Sequence, residues 1–93
     1  MLNLTGRVIM ISGANRGIGL AVARRLSDGG AKLSLGVRDE IAATSQFGDA
    51  QDIILNRYHA RDVGSAQRWV ENTASTFGKI DGLVNNAGIS HPV

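Results

Sequence analysis

Cysteine is absent from the 93 residues. Its absence excludes disulfide bonds and thiolate zinc sites and leaves the redox compartment open. No stretch approaches the ~18 continuous apolar residues of a membrane helix, so no membrane partner is expected. Residues 1–7 have no basic segment running into an apolar one. That argues against a secretory signal and leaves the cytoplasm as the default location. Neither sign of charge dominates, since ten Lys and Arg stand against eight Asp and Glu, a net +2. Such a balance suits an anionic ligand but is too small and too scattered for nucleic acid. The twelve glycines follow no period, which argues against a collagen-like or repeat architecture. At this length the chain holds one domain at most, with a small core.

What is present alternates between two patterns. Residues 7–12 carry the β-branched and apolar run Val8, Ile9, Met10 and Ile11, which reads as a strand buried on both faces. A glycine-rich turn follows over residues 13–19. A helix is predicted from Gly17 to about Asp28, with Ile18, Val22 and Leu26 on one face, ended by Gly29 and Gly30. Lys32 to Val37 reads as a second strand and Glu40 to about Phe47 as a short helix. Ile53, Ile54 and Leu55 begin a third strand running towards His59. Gly64 and Ser65 open a longer helix, with Ser65 as its N-cap and Ala66, Trp69, Val70, Thr73 and Phe77 on its buried face. Gly78 stops it, and Gly82 to Asn85 makes a fourth strand. Strand and helix in strict alternation is the grammar of an α/β doubly wound fold. No helix follows the fourth strand to cover it. The expectation is therefore a partial domain over residues 1–93, truncated after that strand, with Val8, Ile9 and Leu83 partly bare.

The sharpest signal is Ser12-Gly13-Ala14-Asn15-Arg16-Gly17-Ile18-Gly19, between a buried strand and a helix. Gly13 allows a tight turn out of the strand. Gly17 lets backbone N–H groups approach a pyrophosphate, and Gly19 lets the helix pack closely on the sheet. The pyrophosphate would sit on the free N–H groups and positive dipole end of that helix. A glycine-rich turn that binds nothing is the bland alternative, weakened by the flanking strand and helix. The spacing is G-x-x-x-G-x-G, not G-x-G-x-x-G.

This loop resembles the cofactor loop of the short-chain dehydrogenases/reductases, with Ser12 in place of the more usual Thr. Asn85-Asn86-Ala87-Gly88 is similar to the family's N-N-A-G motif. Asp62-Val63 is similar to the family's Asp whose side chain meets the adenine amino group. The resemblance covers essentially the whole chain but only the first part of the family's domain. It implies a parallel sheet in the order 3-2-1-4, an order the right-handed crossover rule also favours. It also implies a dinucleotide cofactor bound by Gly13, Asn15, Arg16, Gly17, Ile18, Gly19, Arg38, Asp62, Val63, Asn85, Asn86, Ala87 and Gly88. All of these fall at the carboxyl ends of strands, where open α/β sheets bind ligands. From the residues alone, Asp62 reads equally as a solvated loop acid or a helix cap. Asn86 reads as mainly structural, its side chain bonding neighbouring backbone, while the backbone of residues 85–88 lies along the ribose.

An NAD site places an acid after the second strand, to accept from the ribose 2′-OH. Alignment puts Val37 there, followed by Arg38, with Arg16 in the glycine loop. In the family a basic residue at either place goes with a 2′-phosphate, which a guanidinium binds through paired, charge-assisted hydrogen bonds. NADP(H) is therefore favoured over NAD(H). The competing reading shifts by one residue and uses Asp39 or Glu40 as the ribose acid, and a third has Arg38 simply begin a solvated helix.

Trp69 and Phe77 read as core and Arg24-Arg25 as a solvated face. His59 reads as packed or surface, and His91 as tail. No metal-ligand spacing is present. The family's catalytic serine and Tyr-x-x-x-Lys have no counterpart, since Tyr58 is the only tyrosine and Asp62 stands four residues on. No residue is assigned a catalytic role. Hydride transfer between NADP(H) and an alcohol/carbonyl substrate would belong to a longer parent, expected to be a homo-oligomer. A stand-alone, non-catalytic dinucleotide-binding or regulatory module is the rival reading. A reading frame continuing past Val93 into Ser and Tyr-x-x-x-Lys would separate the two.

Overall fold

Four consecutive apolar residues make Val8–Ser12 the natural centre of a sheet, and the chain builds outward from this strand, β1. The computed structural model describes residues 3–14, 17–47, 50 and 52–86. After β1 come α1 (Gly17–Asp28), β2 (Lys32–Val37), α2 (Glu40–Phe47), β3 (Ile53–Arg57), α3 (Val63–Phe77) and β4 (Gly82–Asn85). β1, β2 and β3 are each followed by a helical crossover rather than a hairpin, and all pairings are parallel. The order is β3-β2-β1-β4, as expected.

Side-chain alternation splits the sheet into two faces. Ile9, Ile11, Leu33, Leu35, Val37, Ile53, Leu55 and Val84 join Ala23, Ala43 and Phe47 in one hydrophobic core. α1 and α2 close this face. Val8, Met10, Ser34 and Gly36 point the other way, towards α3, so helices cover both faces. Trp69 is 4% exposed, and its indole Nε1 donates to Ser34 Oγ at 2.9 Å. Thr73 Oγ1 donates to the Trp69 carbonyl (2.7 Å), so the 2.6 Å contact between Ser34 and Thr73 must have Ser34 as donor. A Cβ at position 36 would stand 2.8 Å from the Trp69 ring, so Gly36 is the slot into which the indole sinks.

Three expectations about burial and capping need correction. Ile18 is 72% exposed although Val22, on the same side of α1, is half-buried. The next residue in the same turn, Gly19, is buried, so Ile18 lies on the side of the first turn that faces solvent. The residues that touch down are the small ones, Gly19 and Ala23. Val70 is 46% exposed, one step round the helix from the buried line of Ser65, Trp69 and Thr73. Ser65 is not the N-cap of α3. Asp62 is, with its side chain accepting from Ser65 N at 3.1 Å and the helix starting at Val63. Ser65 sits inside the first turn, where its hydroxyl lies 2.8 Å from the Asp62 carbonyl it donates to and 3.0 Å from the His59 N–H it accepts.

At the β4 edge the expectation holds in part. Leu83 is 61% exposed and Ile9 half-buried, but Val8 is 1% exposed because its strand is interior and α3 covers that side.

Candidate functional site

All four strands run the same way, so their carboxyl ends share one edge, and the polar residues there fall into two groups. The first surrounds the β1 exit. Gly13 N donates to the Gly36 carbonyl at 2.8 Å, extending the ladder by one residue before the chain turns at φ 68°. Gly17 takes φ 59°, and a Cβ there would meet nothing within 4 Å. Gly19 is the reverse, since a Cβ would overlap the Gly13 carbonyl oxygen and come within 2.6 Å of Asn86 Nδ2. α1 therefore starts hard against the end of β1. Its first turn contains no acidic residue, so nothing opposes an anion on the free N–H groups there. The open space at Gly17 leaves room for such a group. Asn15 and Arg16 lie outside the described residues.

Ser12 ties this exit to that of β4. Its hydroxyl donates to Asn85 Oδ1 (3.1 Å) and accepts from Asn86 N (2.9 Å). The Asn86 side chain donates to the Gly13 carbonyl at 3.2 Å, a bond to neighbouring backbone of the kind expected of it. Ala87, Gly88 and His91 lie outside the described residues.

The second group surrounds the β2 and β3 exits. Val37 pairs with Arg57, and Tyr58 N donates to the Val37 carbonyl, which brings the next residues on each strand side by side. Arg38 Nη2 lies 2.7 Å from His59 Nε2. Asp39 Oδ1 accepts from Ile41 N at 3.0 Å as a cap on α2. Asp62 Oδ1 caps α3, while Oδ2 lies 3.7 Å from both Arg57 and Arg68. These ion pairs are long and exposed and contribute little to stability. Val63 is exposed beside them. His59 is expected from sequence only as a packed or surface residue, and nothing in the sequence marks Arg57 or Arg68. Only the register of β2 against β3 reveals that His59 adjoins Arg38. Among the described residues no cluster of His, Asp or Glu is placed to hold a metal.

Comparison with known proteins agrees with this fold. The family model described as short chain dehydrogenase matches residues 7–93. An agropine synthesis reductase from Rhizobium rhizogenes is 47% identical over 88 residues, covering 92% of this chain and 20% of that protein. A levodione reductase from Leifsonia aquatica is 36% identical over 91% of this chain and 34% of its own length. Among solved structures, a 3-ketoacyl-(acyl-carrier-protein) reductase from Brucella melitensis complexed with NADH superposes with a TM-score of 0.88 at 37% identity. That match covers 96% of this chain and 37% of that one. The chain thus spans 20–37% of the length of these relatives. With the glycine loop, the Ser12–Asn85–Asn86 tie and the 3-2-1-4 sheet at one edge, the chain belongs to the short-chain dehydrogenase/reductase family.

Proposed function

We propose that the chain is the NADP(H)-binding portion of an oxidoreductase acting on alcohol/carbonyl substrates. The observation that carries this reading is the exit of β2. The position of the ribose acid is taken by Val37, buried and apolar. Arg38 follows, and of the two rival acids Asp39 caps α2 through Oδ1 while Glu40 lies in the first turn of that helix. The cofactor would supply or accept the hydride. The residues of this chain bind and orient it. The first turn of α1 and the glycine loop take the pyrophosphate, with Gly13, Asn15, Arg16, Gly17, Ile18 and Gly19 around it. Arg38 takes the 2′-phosphate, Asp62 and Val63 the adenine, and the backbone of Asn85, Asn86, Ala87 and Gly88 the ribose. The serine and Tyr-x-x-x-Lys of the family are not among these 93 residues, so no turnover is expected from them alone. A cytoplasmic location and a homo-oligomeric parent complete the reading.

NAD(H) is the second reading, favoured by the NADH that the Brucella reductase holds. Titration with both cofactors separates them. NADPH should bind tighter, and Arg38→Asp should weaken NADPH by about 1.5–3 kcal/mol, the scale of hydrogen bonds to charged groups, while leaving NADH nearly unchanged. Equal losses for both cofactors would refute the role of Arg38.

A further inference from the structure

The His59 ring faces two donors, the Arg38 guanidinium and the Arg61 backbone N–H, and cannot accept from both. A guanidinium carries only donors, so Nε2 would have to accept from Arg38. The other ring nitrogen, Nδ1, lies 3.1 Å from the backbone N–H of Arg61, a second donor. A neutral imidazole accepts at one nitrogen only. Either proton placement therefore leaves one N–H facing another, and a protonated ring leaves two. The Arg61 N–H cannot swing away, because it belongs to the turn held by Asp62 N donating to the His59 carbonyl at 2.9 Å. Hydrogen-bond matching accordingly makes Nδ1 the acceptor and puts the proton on Nε2, against Arg38. The side chain of Arg38 is exposed and is the partner free to shift.

An oxygen bearing negative charge, accepting from both groups, resolves the mismatch. His59 is well prepared to donate to one. Its backbone N–H is held by Ser65 Oγ and its carbonyl by Asp62 N, so little ordering remains to be done on binding. We infer that His59 is a specificity-determining residue of this site, donating from Nε2 to the 2′-phosphate that Arg38 binds. The inference rests on the NADP(H) reading above.

The test titrates the isotope-labelled chain with adenosine 2′,5′-bisphosphate and with adenosine 5′-monophosphate, which differ only in the 2′-phosphate. The imidazole nitrogens are followed by NMR to millimolar ligand, with His59→Leu assigning the His59 signals. The bisphosphate should bind tighter and shift Nε2 of His59. His59→Leu should cut the preference about tenfold, in line with loss of one charge-assisted bond. His59→Gln, which keeps an N–H donor, should restore most of it, and the monophosphate should bind all three proteins alike. A wild-type chain with no preference for the bisphosphate overturns the NADP(H) reading and this inference with it. A preference lost in Arg38→Gln but intact in His59→Leu overturns this inference alone. Equal weakening of both ligands by His59→Leu, or no response of His59 at any concentration, also overturns it.

Discussion

A methyl group at position 19 would overlap the Gly13 carbonyl and crowd the Asn86 amide. Gly19→Ala should therefore push α1 off the sheet and break the Asn86-to-Gly13 bond. An overpacking cost of about 1–3 kcal/mol is expected, read as a lower urea midpoint. Asp81 is the other residue with a sharp expectation. Its carboxylate accepts from Val8 N at 2.8 Å and lies 2.9 Å from Lys79 Nζ and 4.0 Å from Arg7. The Val8 hydrogen bond first, then Lys79, hold its pKa below the ordinary carboxylate value. A pKa lowered in the folded state stabilises at pH above the unfolded value, about 4, and that contribution fades as pH falls through the folded one. Asp81→Asn should lower the melting temperature at neutral pH, with the gap to wild type closing below about pH 4. A gap that stays constant with pH would show that the charge is irrelevant.

α3 owes its start to one side chain. Asp62→Ala removes the N-cap and should cost about 0.5–2 kcal/mol in chemical denaturation. Asp62→Asn keeps an oxygen for Ser65 N and loses only the long pairs to Arg57 and Arg68, so its cost should be much smaller. Equal losses would mean that the ion pairs, not the cap, set the start of the helix. α3 also shows how one polar network positions an element. The chain Trp69–Ser34–Thr73 fixes the helix over β2 at the slot left by Gly36, and Tyr58 packs against the indole with ring centroids 4.9 Å apart and planes tilted by 41°. α1 is placed differently, by the close approach at Gly19 and Ala23.

The whole molecule is asymmetric across its sheet. The core lies on the α1 and α2 face, while β4 forms one edge of the sheet with Leu83 exposed beside it. Unpaired backbone on such an edge invites association. The 93-residue chain should therefore self-associate as its concentration rises in sedimentation velocity, and Leu83→Lys should suppress this. A wild-type chain that stays monomeric and melts in one sharp transition would contradict the expectation. Net stability of domains is only about 5–15 kcal/mol, so apolar surface left in water at this edge is a material loss.

Local pattern determined the elements and the loop. Four apolar runs, the glycines between them and the 3.6-residue period suffice for seven elements, because each depends on neighbours in sequence. The strand order followed from the crossover rule and the family resemblance, and the glycine spacing carried the dinucleotide reading. The lateral contacts were decided only in three dimensions. Gly36 receives Trp69 from 33 positions away, Gly19 and not Ile18 packs against the sheet, and Asp62 rather than Ser65 caps α3. Arg38 meets His59 because Val37 pairs with Arg57. The alternation within each segment excludes a slip of one residue, which would turn every side chain to the opposite face, but not a slip of two, so the sequence of neither segment singles out that register.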